Sequence, residues 1–294
     1  MDWSLAVHGG AGSWDLALHD DAQAGVRAAA ERGRACLSDG GSALDAVCAI
    51  VAALEDNPLF NAGTGSVLNR DAAVEMDAAV MCGHDFGFGA VAALTGVRNP
   101  VLVARAVLER SGHALLAGEG ALRFARAQGF DDYDPVTVRA RIDWERARNA
   151  REGTVGAVAL DIRGRLAAAT STGGMLGKLP GRVGDSPLPG AGTYATPAAA
   201  VSATGRGELV LRVLAGKRIC DLMQSGRSAQ HAIEDVLQWM QTTVGAEAGF
   251  IAVSRDGSIG IAHRTASMPH ACATSADPDL VVGMQVPKSG LSAE

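Results

Sequence analysis

The stretch that most constrains this 294-residue chain is Gly153-Thr154-Val155-Gly156-Ala157-Val158-Ala159-Leu160-Asp161, where a charged segment switches abruptly into a run of small and apolar residues. The run reads as a strand, and Thr154 stands on its boundary. A threonine hydroxyl is a poor nucleophile unless a base stands beside it. One solution is to make the threonine an N-terminus, so that its own α-amine accepts the proton. That amine titrates near 8, roughly two units below lysine, and so serves as a base at neutral pH. For Thr154 this requires cutting the Gly153-Thr154 bond. An isolated Gly-Thr pair more often just opens a strand, so the surroundings must decide.

They decide through a series of motifs. Downstream come Ala169-Thr170-Ser171-Thr172-Gly173-Gly174-Met175, Lys178-Leu179-Pro180-Gly181-Arg182-Val183-Gly184-Asp185-Ser186-Pro187, Pro189-Gly190-Ala191-Gly192-Thr193-Tyr194-Ala195 and Ser202-Ala203-Thr204-Gly205-Arg206-Gly207-Glu208. Upstream stand His8-Gly9-Gly10-Ala11-Gly12, Phe60-Asn61-Ala62-Gly63-Thr64-Gly65, Glu75-Met76-Asp77-Ala78, Arg98-Asn99-Pro100-Val101 and Gly118-Glu119-Gly120-Ala121. In this order the blocks resemble the plant-type L-asparaginase / isoaspartyl peptidase family of N-terminal-nucleophile hydrolases, over nearly the whole chain.

The resemblance implies an α+β fold, a four-layer αββα sandwich formed as one domain by two products of self-cleavage. These are residues 1–153, of which 131–153 would be a mobile linker, and residues 154–294. It implies an enzyme that cleaves isoaspartyl (β-aspartyl) dipeptides and the side-chain amide of L-asparagine, releasing L-aspartate through a β-aspartyl acyl-enzyme. Thr154 would be the nucleophile, and Thr172 would orient its hydroxyl. Thr204 and the backbone N–H of Gly205 would form the oxyanion hole, where one donor is worth about 3 kcal/mol in the transition state. Arg182 and Asp185 would bind the substrate α-carboxylate and α-ammonium, with the Gly207 carbonyl assisting, and Asn61 would lie near the nucleophile. No cofactor is expected for catalysis. A structural sodium ion would be held by the main-chain carbonyls of Leu54, Glu55, Asn57, Phe60, Ala62 and Thr64, oxygen ligands that suit a hard cation. The expected assembly is a homodimer of α–β heterodimers.

One departure is Arg206, where the family commonly has threonine, histidine or glutamine; it either faces solvent or favours a substrate with an acidic group beyond the scissile bond. The Thr-Gly-Asp-Gly motif of glycosylasparaginase is absent, which ranks that reading lower. A non-cleaving small-molecule binder on the same fold is a further alternative.

Other classes find little support. A net charge of -6 argues against nucleic acid, which needs clustered Lys and Arg. His8-Gly9-Gly10 follows a short apolar strand, yet no Gly-x-Gly-x-x-Gly, Gly-Lys-Ser/Thr or Gly-x-Ser-x-Gly accompanies it. The seven histidines show no His-x-x-x-His spacing, so a catalytic zinc is not supported. Five scattered cysteines suggest reduced thiols, and no segment reaches the roughly 18 apolar residues of a membrane span; the expected setting is the cytoplasm.

Helical spacing covers 21–37 and 42–55, the latter with Ser42 as N-cap, then 101–110, 119–128, 208–224 and 228–242. Strands are expected at 5–7, 73–81, 87–94, 155–161, 165–171, 198–203, 249–254 and 258–263. Strands in runs and helices in pairs suit stacked sheets under helical layers.

Overall fold

In a computed structural model, which describes residues 2–146 and 153–285, the small-residue run after Thr154 is a fully buried central strand. The first half contains β1 (Ser4–His8), α1 (His19–Ser38), α2 (Ala43–Glu55), β2 (Met76–Cys82), β3 (Phe88–Leu94), α3 (Pro100–Arg110), β4 (Leu115–Ala117), α4 (Gly118–Ala127) and α5 (Val138–Glu145). After Thr154 follow β5 (Val155–Leu160), β6 (Leu166–Thr172), β7 (Thr193–Ala195), β8 (Ala199–Gly205), α6 (Gly207–Val213), α7 (Ala215–Gln224), α8 (Ala229–Val244), β9 (Ala248–Ser254), β10 (Ile259–His263), β11 (His270–Thr274) and β12 (Val281–Gly283).

The described strands form an eight-stranded sheet, ordered β12-β11-β1-β5-β6-β2-β3-β4, and a four-stranded sheet, β10-β9-β8-β7. β5 is antiparallel to β1, with His8 opposite Gly156, and to β6, with Val155 opposite Ser171. Because side chains alternate along a strand, Val155, Ala157 and Ala159 join the core beneath α1, α2 and α3, whereas Val158 and Leu160 face the other way. There they meet Ala200, Ile251 and Val253 of the smaller sheet. That sheet's second face, with Val201 and Phe250, packs on Ile219, Ile233 and Val236 of α7 and α8. Gly156 sets the distance between sheets at the site, since a Cβ there would stand 2.0 Å from Ser202 Oγ and 2.5 Å from His8 Nε2.

Ser42 caps α2 as expected, accepting from Asp45 N at 3.1 Å while Asp45 accepts from Ser42 N at 3.3 Å, a reciprocal capping box. The single helix expected over 208–224 is instead α6 and α7, broken at Leu214, whose φ of 49° is left-handed. β4, β7, β11 and β12 were absent from the expectations. The first two and the last are three residues long, too short to show a period. The stretch expected as a mobile linker over 131–153 includes α5, capped by Thr137 and tied to the body by Trp144 Nε1 donating to Asn69 O at 2.8 Å. Residues 147–152 of that stretch lie outside the described residues. No described helix is long and apolar enough to cross a membrane.

Candidate active site

Thr154 lies just before β5, buried, with its hydroxyl 3.3 Å from Thr172 Oγ1. Thr172 ends β6, one strand over. Its single O–H donates to the carbonyl oxygen of Gly153 at 3.2 Å, while its oxygen accepts from Gly174 N at 2.9 Å and faces the Thr154 hydroxyl. Asn61 completes the arrangement from the loop after α2. Its Nδ2 donates to Gly153 O at 2.9 Å and to Gly174 O at 2.7 Å, and its Oδ1 accepts from Val67 N at 3.0 Å. Two donors therefore converge on the carbonyl oxygen of the Gly153-Thr154 bond, with a hydroxyl beside it.

The His8-Gly9-Gly10 turn presses on the same bond. A Cβ on Gly10, which has φ 108°, would stand 2.8 Å from Gly153 Cα and 3.1 Å from Thr154 N, so only glycine fits. Ala11 N of this turn donates to Thr204 Oγ1 at 3.0 Å, occupying an acceptor position and leaving the Thr204 O–H as a donor. His8 is buried beneath, its Nε2 at 2.9 Å from Ser202 Oγ, which is 2.8 Å from Thr170 Oγ1. Burial pushes the His8 pKa down to about 3, against the opposing effect of the Thr154 backbone, so the imidazole is neutral.

A small cleft brings Thr154, Thr172, Gly205 and Gly207 together with Arg182 and Asp185; Gly153, Gly174 and Met175 complete its wall. Its volume of about 10 Å³ is about that of one water, with Gly153 itself part of the lining. Arg182 Nε donates to Glu208 Oε1 at 2.8 Å. Burial alone would raise the Glu208 pKa, but the Arg182 hydrogen bond and charge more than offset it and hold the carboxyl below its usual range. Asp185 is buried, and its Oδ2 has no hydrogen-bond partner. Burial lifts its pKa to about 7, against its own backbone N–H and the Arg182 charge. Gly207 approaches both residues, since a Cβ there would be 2.8 Å from Asp185 Oδ1 and 2.9 Å from Arg182 Nη2.

Sequence reasoning missed the residues that hold the 178–187 loop, which carries Arg182 and Asp185. Asp77 accepts from Gly184 N at 3.1 Å and from Ala93 N at 2.8 Å. Glu75 accepts from Gly181 N at 3.0 Å through Oε2, and its carbonyl accepts from buried Lys178 Nζ at 2.7 Å. Burial lowers the Lys178 pKa, against the nearby Asp77 and Glu75 charges. Glu75, Asp77, Lys178 and Glu208 all fall inside the quoted motifs, the one signal that pointed to them.

In the Leu54-to-Thr64 loop, Leu54 O accepts from Asn57 N at 3.2 Å, Glu55 O from Thr64 N at 2.7 Å and Asn57 O from Phe60 N at 3.1 Å. Each carbonyl retains a second lone pair. Gly65, at φ 101°, leaves room where a Cβ would meet Pro58 O at 2.5 Å and Phe60 O at 2.9 Å. The donor set is oxygen throughout.

The family described as asparaginase matches the chain over residues 1–152 and 143–282. The plant-type L-asparaginase of Pyrococcus furiosus is 41% identical, the match covering 98% of this chain and 99% of the relative. The isoaspartyl peptidase of Escherichia coli is 43% identical over 93% of each, and the isoaspartyl peptidase/L-asparaginase of Danio rerio is 41% identical over 86% of each. With the resemblance thus spanning both halves, the chain belongs to the asparaginase family, alongside plant-type L-asparaginases and isoaspartyl peptidases.

Proposed function

We propose that this chain is a self-activating threonine amidohydrolase that releases L-aspartate from isoaspartyl dipeptides and from L-asparagine. The observation that carries the reading is the pair of donors, Asn61 Nδ2 and Thr172 Oγ1, on the Gly153 carbonyl oxygen beside the Thr154 hydroxyl. Attack by Thr154 Oγ1 on that carbonyl carbon puts negative charge on an oxygen already met by two donors. Collapse breaks the C–N bond, the nitrogen takes a proton, and Gly153 is left as an ester on Thr154. Water then hydrolyses the ester, freeing the Gly153 carboxylate and the Thr154 α-amine.

In the mature enzyme that amine takes the Thr154 hydroxyl proton as the oxygen attacks the substrate's β-carbonyl. The Thr204 O–H and Gly205 N–H receive the oxyanion. Arg182 binds the α-carboxylate, and Asp185, whose buried Oδ2 lacks a partner, receives the α-ammonium with the Gly207 carbonyl. The amine or ammonia leaves with a proton, and water releases L-aspartate from the β-aspartyl ester.

Residues 1–153 and 154–294 are then the two subunits of one αββα sandwich, a reading supported by the three cores between and outside the sheets. The carbonyls of Leu54, Glu55, Asn57, Phe60, Ala62 and Thr64 would hold a sodium ion that stiffens the loop carrying Asn61. The assembly is a homodimer of such heterodimers, in the cytoplasm. Intact-mass measurement of purified protein tests the core of the proposal: wild type should give two fragments split between Gly153 and Thr154, and Thr154→Ala one chain. A wild-type chain that is active while uncleaved overturns the mechanism, and one that neither cleaves nor hydrolyses is the small-molecule binder.

A further inference from the structure

Away from the cleft, the hairpin joining β2 to β3 gathers three side chains with metal-binding chemistry. Cys82 ends β2, and His84 and Asp85 form the turn. One ligand atom from each lies within 4.8 Å of the other two, the only such group of three or more His, Cys, Asp or Glu among the described residues.

The spacing suits a tetrahedral ion. His84 Nε2 and Asp85 Oδ2 are 3.4 Å apart. Nitrogen and oxygen ligands about 2.0–2.2 Å from zinc are separated by roughly 3.3–3.6 Å along a tetrahedral edge, so this pair already spans one. A thiolate about 2.3 Å from the ion would sit roughly 3.5 Å from each, a shift of up to about 1.3 Å from the 4.8 Å limit, within side-chain rotation.

The turn is held in a form that keeps the three together. Cys82 N donates to Gly87 O at 2.8 Å, and Gly83 N to Leu166 O at 2.7 Å. Asp85 Oδ1 is engaged by Gly87 N at 2.9 Å, which turns Oδ2 toward His84. Gly83 packs so closely on the β7–β8 connection that a Cβ would stand 2.3 Å from Thr196 O. Cys82 is buried, while the His84 and Asp85 side chains are 42% and 58% exposed, so an ion would enter from solvent and keep a water as fourth ligand. Sulfur, imidazole nitrogen and one carboxylate oxygen together suit a borderline metal and not Mg²⁺ or Ca²⁺, which take oxygen ligands.

We infer that Cys82, His84 and Asp85 form a three-ligand Zn²⁺ site that staples the β2–β3 hairpin. On binding, the Cys82 thiol gives its proton to solvent as the Zn–S bond forms. The site is at the opposite end of β2 from Asp77, which anchors the 178–187 loop carrying Arg182 and Asp185, so its role is stability and not hydrolysis.

The test uses tag-free, chelator-treated full-length protein, titrated with Co²⁺ as a spectroscopic probe and with Zn²⁺ in competition. The expected result is one equivalent bound per chain, with tetrahedral d–d absorption and a thiolate-to-cobalt band in the near ultraviolet. Cys82→Ser should remove the thiolate band. His84→Gln, at an exposed position, should keep the circular dichroism spectrum and asparagine hydrolysis of wild type but weaken Zn²⁺ binding at least about 100-fold, as expected when a ligand is lost and not merely a group supporting one. Saturating Zn²⁺ should raise the melting temperature of wild type and not of His84→Gln. Absence of the tetrahedral bands, or bands and zinc affinity that survive in both variants, overturns the site.

Discussion

Asn61 commits both hydrogens of its side-chain amide to carbonyls, those of Gly153 and Gly174, and neither contact can be read from its neighbours in sequence. Asn61→Asp keeps the shape but replaces the donor to Gly153 O with an acceptor, so self-cleavage should slow by roughly 10²–10³, followed as fragment appearance on a denaturing gel. Cleavage at the wild-type rate would show that Thr172 alone serves that oxygen. Arg182 presents a different case, because its Nε is engaged by Glu208 and its remaining nitrogens lie against Gly184 and Gly207 at the cleft. Lysine cannot make both contacts at once. Arg182→Lys should mature normally, since cleavage uses the chain's own Gly153 carbonyl, yet lose ten- to a hundredfold in kcat/KM on a β-aspartyl dipeptide, roughly one charge-assisted hydrogen bond. Wild-type kinetics in that variant would remove Arg182 from substrate binding. Thr154, Thr172, Arg182, Asp185, Gly205 and Gly207, legible as motifs, do meet in one cleft. The supports Glu75, Asp77 and Lys178 were not legible as such. Asp77 reaches Gly184 across 107 residues of chain, a pairing that no local period encodes.

Among elements, those with a strong period were legible and those defined by their partners were not. α2 and α8 announce themselves through serine caps and apolar faces. β7 and β12 exist because a neighbouring strand offers its edge, and the break between α6 and α7 falls on Leu214, a residue that does not itself favour the left-handed conformation found there. β5 is the element on which the site depends most closely. Its two flanking pairings fix the register of Thr154 against Thr172, and its Gly156 lets the smaller sheet reach it. Gly156→Ala would drive a methyl into Ser202 Oγ and His8 Nε2, neither of which has room to retreat from a fully buried position. The expected cost is at least about 1–3 kcal/mol by denaturant unfolding, together with slowed self-cleavage. An unchanged unfolding midpoint would mean that the two sheets slide apart freely at this point.

At the scale of the whole molecule, the halves before and after Thr154 interleave: β1 of the first half lies between β11 and β5 of the second, and β6 of the second lies against β2 of the first. In the proposed mechanism, cutting at Gly153 would leave this sheet's hydrogen bonds intact, so one fold could serve both precursor and mature enzyme. Burial raises the pKa of Asp77, and among the described residues two other buried carboxyls resist ionisation, Asp185 with a pKa of about 7 and Glu55 with a pKa of about 8, both raised chiefly by burial. Unfolded, these groups would titrate near 3.8 and 4.5, so between about pH 4 and 8 the native state holds protons that the unfolded chain releases. Stability from these two groups therefore falls as pH rises through that window. The contribution of Asp185 is isolated in the uncleaved Thr154→Ala chain, where no new α-amine titrates. Adding Asp185→Asn should stabilise by roughly 2 kcal/mol at pH 5, where only the unfolded chain's carboxyl is ionised, and by up to about 4 kcal/mol at pH 8, the equivalent of a rise from 3.8 to about 7. Denaturant unfolding at the two pH values measures the difference, and a pH-independent effect would show that Asp185 is solvated in the native chain. The penalty would serve the proposed function: a carboxylate that is costly to ionise in a buried cleft would gain most from an incoming α-ammonium, so that cation would be recognised more strongly there than at a solvated carboxylate on the surface.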